Sequence, residues 1–362
     1  MKKFISRLYN RYKAIPAPMS SNLRILFILK ERYAYGSYSM NYSSGLYNSA
    51  KFCSDMLAAA GYTTKLVEVL DNNSIDHEVT IFQPDIVIIE ALWVVPEKFD
   101  ILQMLHPTVN WIVRIHSEAP FLAQEGIGID WLSHYPLNYS NVFVAVNSKE
   151  AEIELLSFYP EKGINPDKLL YLPTYYPAPD DTLYFKSFSG GVLNVACMGA
   201  IRQLKNVLIQ AMAAMRFAEE TGWHLRFHIN GDIFDAEGRP TNKSLTALFE
   251  DTDYELIRHK WMEHDEFIAF LAGIDVGMQV SFSETFCIVA ADYVASGIPV
   301  VGSPAIKWLD KRSQTDTIKV QSIADHIGTA LRNRGMIDAN LEHLQEYSRN
   351  AKKAWLEVLR NF

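Results

Sequence analysis

The chain has 362 residues, 49% of them apolar, enough for two cores rather than one. A net charge of −8 argues against wholesale polyanion binding and leaves room only for a local basic patch. Three scattered cysteines, Cys53, Cys197 and Cys287, provide no disulfide framework and fit a reducing, cytoplasmic setting.

Residues 1–20 form a basic amphipathic arm. Lys2, Lys3, Arg7, Arg11 and Lys13 give +5 with no acid in the first 13 residues, which leaves −13 for the remainder. Phe4, Ile5, Leu8, Tyr9 and Tyr12 recur at helical spacing, and Pro16 and Pro18 end any helix. The arm lacks the apolar core of a signal peptide. Three uses are open to it: a membrane-surface helix, a phosphate-gripping contact to DNA, or a solvated tail.

Residues 21–175 read as a first domain. "LRILFIL" at 23–29 is a buried parallel strand. A Tyr- and Ser-rich loop follows it, then a helix that Gly61 terminates. "TTKLVEV", "PDIVIIEAL", "NWIVRIHSE", "NVFVAVNS" and "KLLYLPTYY" are further strands separated by helical stretches. The run "DIVIIEALWVVP" is too short to cross a bilayer and is broken by Glu90. Residues 176–191, rich in Pro, Asp, Ser and Gly, read as a linker.

The strand–helix pattern restarts in a second domain, 192–335, with strands in "VLNVACMG", "WHLRFHING", "IDVGMQV" and "GIPVVGS". A terminal helix spans 336–362. Alternating strands and helices predict two α/β, doubly wound parallel sheets, with ligands bound in a cleft between their carboxyl ends.

Three features of the second domain carry chemistry. "MGAIRQLKN" at 198–206 lies between a strand and a helix. Gly199 permits a tight turn, and Arg202 and Lys205 add cations at a helix start that suits a diphosphate. In "SFSETF", Glu284 and the backbone N–H groups of Thr285, Phe286 and Cys287 face the cleft. Asp292, two turns on, lies among small and apolar neighbours and needs a partner, such as the vicinal hydroxyls of a ribose. "DTD" at 251–253 sits in an acidic run and reads as a solvated loop, not a metal motif. The histidines lack metal-ligand spacing. No Gly-x-Gly-x-x-Gly loop is present, so a nicotinamide-dependent enzyme is poorly supported.

The stretch "SETFCIVAADYVASGIPVV" resembles the signature of retaining nucleotide-sugar glycosyltransferases of the GT-B fold, family 4. There a Glu-x7-Glu pair precedes Gly-x-Pro-Val-Val; here the pair is Glu284 and Asp292, and the family's Gly-Phe-Gly becomes Thr285, Phe286 and Cys287. "MGAIRQLKN" is similar to the family's diphosphate loop, with Lys205 in the lysine position, Ala200 in the arginine position and Arg202 as a substitute. "WIVRIHSE" resembles the strand ending in a histidine near the donor sugar, here His116.

The resemblance implies two Rossmann-like halves facing across a cleft, with the last helix crossing back to the first. It also implies transfer from a nucleotide sugar such as a UDP-sugar to an acceptor hydroxyl, with retention, and with no cofactor or metal. His116, Glu284 and Lys205 would be catalytic; Gly199, Arg202, Lys205, Thr285, Phe286 and Cys287 would hold the diphosphate, and Asp292 the ribose. Acceptors of such enzymes meet the first half, which points to Lys30, Arg32, Tyr33, Tyr35, Gly36, Ser37 and Tyr38. The first half also resembles phage glycosyltransferase-like proteins, which makes a hydroxymethylated pyrimidine in DNA one acceptor and a glycan or lipid-linked sugar another. If the chain is phage-encoded, its setting is the host cytoplasm, with membrane or DNA contact through residues 1–13. The departures at Cys287 and Asp292 also fit a GT-B scaffold that binds a nucleotide sugar or a partner protein without catalysis.

Overall fold

The computed structural model describes residues 23–31, 45–181, 188, 190–231 and 238–362. The expected N-terminal arm, the acceptor-side residues Arg32 to Tyr38 and most of the linker beyond 181 lie outside the described residues.

Two parallel sheets carry the molecule. The first comprises β1 (Arg24–Lys30), β2 (Thr63–Val69), β3 (Ile86–Glu90), β4 (Asn110–Ile115), β5 (Val142–Val146) and β6 (Leu169–Tyr171), in the order β2-β1-β3-β4-β5-β6. The second comprises β7 (Val192–Ala196), β8 (His224–Asn230), β9 (Glu255–His259), β10 (Val276–Gln279) and β11 (Val300–Gly302), in the order β11-β10-β7-β8-β9. Every strand pairing is parallel, as helical crossovers require. Central strands are apolar along their whole length because both faces are covered: Ile25 to Leu29 and Ile86 to Ile89 are all buried.

Strand β9, "ELIRH", escapes a reading by apolar periodicity, because it is short, half polar and follows an acidic turn. "DTD" forms an exposed turn between the helix Gly238–Phe249 and β9.

Four clusters of buried side chains line the two faces of the two sheets. The last helix, Arg334–Leu359, joins three of them. Met336 packs in one core of the second half and Leu341 and Leu344 in the other, while Trp355 and Leu359 lie in the first half. Trp355 is sealed there: its Nε1 donates to the Pro173 carbonyl at 2.7 Å, and its ring is 6.0 Å from that of Phe27. The strand order reverses between β1 and β3 in the first sheet and between β7 and β10 in the second. Crevices at such reversals, beyond the carboxyl ends of the strands, are where doubly wound folds bind ligands.

Candidate active site

At the reversal point of the second sheet, two segments meet: 198–206 after β7 and 280–287 after β10. Gly199 turns the first segment with φ +113°, which a side chain tolerates poorly, and its N–H donates to Asn230 Oδ1 at 2.6 Å. Gly277, inside β10, lacks the Cβ that would sit 2.2 Å from the Tyr293 ring. The ring therefore packs against the strand, where its hydroxyl donates to the Ala196 carbonyl and accepts from the Met198 N–H, both at 3.1 Å.

Lys205 lies in a 3-10 turn, Gln203–Lys205, and not in the first turn of the helix Val207–Thr221. The reason is Asn206, whose left-handed backbone (φ +56°) separates the two. Its side-chain amide donates to the carbonyls of Val280 (3.0 Å) and Thr317 (2.6 Å). Gln210 ties the same segments, donating to the Lys205 carbonyl at 2.7 Å and accepting from the Val280 N–H at 2.9 Å. The result is one ion pair across the reversal point: Lys205 Nζ lies 2.5 Å from Glu284 Oε1. Burial alone would lower the ammonium's pKa; the Glu284 carboxylate outweighs it and holds Lys205 above the ordinary lysine value. Arg202 lies against the first half, its guanidinium 5.2 Å from the Phe121 ring centre.

Thr285 faces the first half, and Phe286 and Cys287 are buried. Cys287 takes a left-handed backbone, φ +63°, where a glycine would be at ease. Its Sγ donates to Gln279 Oε1 at 3.4 Å. The helix Ile288–Ala295 follows, its first intrahelical bond running from the Ala291 N–H to the Cys287 carbonyl.

Asp292 is buried, and its Oδ1 accepts from Tyr176 Oη at 2.8 Å and meets His264 Nε2 at 2.9 Å. Burial raises its pKa despite these partners. Tyr176, from the expected linker, packs in the second half's core.

In the first half, Glu90 and Arg114 are register partners on β3 and β4, and both are fully buried. Arg114 Nη1 donates to both Glu90 oxygens (3.0 and 2.9 Å), its Nε donates to the Leu172 carbonyl (2.9 Å), and its guanidinium lies 5.3 Å from the Trp355 ring centre. Burial would raise the Glu90 pKa, but Arg114 and then His116 hold it below the ordinary carboxylate value.

His116 follows β4. Its Nε2 lies 2.6 Å from Glu90 Oε2 and its Nδ1 3.2 Å from Asn147 Nδ2. A carboxylate only accepts and an amide nitrogen only donates, so the neutral Nε2–H tautomer satisfies both contacts. The ring expected to reach a donor sugar therefore has both nitrogens held by protein. Asn147 Nδ2 also donates to Thr285 Oγ1 at 3.0 Å. A continuous line of contacts, His116–Asn147–Thr285–Glu284–Lys205, thus crosses the cleft. Lys30, exposed, ends β1 at the reversal point of the first sheet.

Sequence reasoning missed Glu90, Arg114 and Asn147 as members of this site. The available signal was a charge inside each of two apolar strand runs, which burial tolerates only if the charges are paired. Among the described residues, no group of three or more His, Cys, Asp and Glu side chains is placed to hold a metal ion, and no helix is long and apolar enough to cross a membrane.

No family model matches the sequence, and no curated protein matches it. Solved structures do. An alpha,alpha-trehalose 6-phosphate synthase from Burkholderia multivorans superposes with a TM-score of 0.64 at 13% identity, covering 94% of this chain and 97% of that one. A sucrose-phosphate synthase from Thermosynechococcus elongatus gives 0.64 at 14% identity, covering 94% and 98%. A trehalose-6-phosphate protein from E. coli bound with UDP-2-fluoro glucose gives 0.62 at 11% identity, covering 93% and 99%. Likeness at such identities speaks for the fold alone, and the fold it establishes is GT-B: two parallel-sheet α/β domains facing across a cleft.

Proposed function

We propose that this chain transfers a sugar from a nucleotide-sugar donor to an acceptor hydroxyl, with retention of anomeric configuration. The observation that carries the reading is the Lys205–Glu284 pair at the reversal point of the second sheet, 2.5 Å apart and tied to the first half through Thr285. A donor diphosphate lies at the Gly199 turn and the start of the helix Ile288–Ala295. Lys205 then exchanges Glu284 for phosphate, and Glu284 is released to grip sugar hydroxyls.

In the reaction the bond from the anomeric carbon to the diphosphate oxygen breaks and one to the acceptor oxygen forms. The acceptor's proton passes to the leaving phosphate, so no protein base is required. Lys205 and Arg202 stabilise the charge that grows on the diphosphate. His116 and Asn147 form the first-half wall beside the sugar, with the His116 ring oriented by Glu90. Asp292, with His264 and Tyr176 on its Oδ1, is assigned to the donor ribose.

The acceptor meets the first half through Lys30, Arg32, Tyr33, Tyr35, Gly36, Ser37 and Tyr38. A hydroxymethylated pyrimidine in DNA leads, with a glycan or lipid-linked sugar behind it. The −13 carried by the rest of the chain limits a DNA footprint, and a base flipped into the cleft needs only a small one. The protein acts in the cytoplasm, and residues 1–13 supply DNA or membrane contact.

A second reading is favoured by the departures at Cys287 and Asp292, both buried: a GT-B scaffold that binds a nucleotide sugar or a partner without turnover. A thermal-shift panel of nucleotide sugars, followed by donor-hydrolysis and labelled-sugar transfer assays, separates the two. Binding with no turnover on any acceptor class selects the scaffold. Inversion at the anomeric carbon, read by NMR of the product, would overturn the retaining mechanism.

A further inference from the structure

The segment that carries Glu284 is gripped from both sides, and its residues divide between the two halves. On the second half's side, the Phe282 N–H donates to the Leu204 carbonyl at 2.8 Å and Glu284 pairs with Lys205. On the first half's side, Ser283 Oγ donates to Glu118 Oε2 at 3.1 Å and Thr285 Oγ1 accepts from Asn147 Nδ2 at 3.0 Å. The residues immediately before and after Glu284 are therefore both held by the opposite domain. Neither holder is a loose surface group. Glu118 is buried, and its other oxygen accepts from Ser148 Oγ at 3.0 Å. Asn147 is 1% exposed. They follow β4 and β5, which are register-paired neighbours, so their spacing is set by the first sheet.

We infer that Glu118 and Asn147 are positioning residues for Glu284, gripping Ser283 and Thr285 so that the carboxylate takes its donor-free place against Lys205, from which it is released to the sugar, only when the two halves are together. The inference rests on the functional reading above only for its consequence in catalysis; the placement of Glu284 is a separate, measurable matter. Long-range positioning of this kind is worth having because a small misplacement of a reacting group costs rate steeply.

The test reads Lys205 directly. An amine held by a carboxylate is protected from acylation, so acetylation of Lys205 by N-hydroxysuccinimidyl acetate, followed by mass spectrometry, reports whether Glu284 is in place. Glu118→Ala and Asn147→Ala are expected to raise the Lys205 rate about fivefold, the loss of one ordinary hydrogen bond's worth of order. Ser283→Ala should reproduce Glu118→Ala, and the double variant should add nothing further, as a shared interaction demands. Lys51 and Lys353, away from the cleft, serve as controls. If they accelerate as well, the variant has unfolded, and Ser283→Ala, at a half-buried position, decides.

Unchanged Lys205 rates in folded variants, or additive effects in the double variant, overturn the inference. In turnover assays kcat should fall with the donor KM held within about twofold, the signature of a transition-state loss and not of lost binding. A wild-type chain that transfers no sugar from any nucleotide donor would sink the functional reading and leave the acylation result to judge this one.

Discussion

Each half of the molecule places a carboxylate–cation pair towards the carboxyl ends of its strands, Glu90–Arg114 on β3 and β4 and Lys205–Glu284 at the reversal between β7 and β10, and burial makes the two pairs different objects. Glu90 and Arg114 have no exposed side-chain surface, and each is saturated with further contacts. Lys205 and Glu284 keep 29% and 8% of their side-chain surface exposed. The first pair is part of the framework: either charge left alone would be buried without compensation. The second can exchange partners, because water and an incoming anion can reach the lysine. A site needs both, a fixed wall to orient one substrate and an exchangeable pair to bind the other.

The largest expected effect breaks the first pair. Arg114→Met leaves Glu90 buried with only His116 as partner and should destabilise the protein by about 3–5 kcal/mol, read by urea unfolding. Adding Glu90→Leu removes the stranded charge, and the double variant should recover most of the loss. Equal losses in the single and double variants would mean that the guanidinium's contacts to Leu172 and Trp355, and not the charge, dominate.

Breaking the second pair should disturb folding less. Lys205→Ala is expected to cost about 1–3 kcal/mol, because it strands the mostly buried Glu284 carboxylate. Its effect belongs in donor binding and rate, where a charge-assisted phosphate contact is worth roughly 1.5–3 kcal/mol, about ten- to a hundred-fold. Wild-type donor affinity, measured by titration, would remove the residue from the diphosphate site.

A third contrast lies within the second half, between Glu284 and the buried Asp292. The His264 pKa is raised above 6.5, chiefly by its bond to Asp292, and burial raises the Asp292 pKa above 3.8. Both groups hold protons more tightly folded than unfolded. Their contributions are therefore complete below the unfolded values and are lost as pH rises through the folded ones. For His264 that window begins at 6.5 and extends upward. Thermal unfolding between about pH 6 and 9 should show stability falling by about 1 kcal/mol or less, and His264→Gln should flatten the profile. A profile unchanged by His264→Gln would place the dependence elsewhere.

Much of the fold was legible because buried parallel strands announce themselves: "LRILFIL" and "NVFVAV" leave little alternative. "ELIRH" did not, because an edge strand with polar alternate positions resembles a loop. In the site, Lys205 and Glu284 were legible because loops at strand ends carry chemistry in doubly wound folds. Glu90 registered only as a break in an apolar run; its partner Arg114 is 24 residues away, a distance that sheet register closes and sequence does not. Asp292 was correctly marked as needing a partner, but its partners come from a segment read as linker and from an unremarked helix start at His264.

The smallest effect asks whether the second region's backbone adapts as well as its side chains. Cys287 follows Glu284 by three residues and holds a left-handed conformation, φ +63°, at a cost of roughly 1–2 kcal/mol for a residue with a Cβ. Three terms oppose relief by glycine: about 0.5–1 kcal/mol of added chain entropy, loss of a long thiol contact to Gln279 at 3.4 Å, and loss of the buried side chain's packing. Cys287→Gly should therefore leave stability within about 0.5 kcal/mol of the parent. Cys287→Ala, which keeps the strain and loses the thiol, should destabilise it slightly. The reverse order in chemical unfolding would show that the thiol contact, and not the backbone angle, sets the cost at this position, and that the turn behind Glu284 is held from its core side.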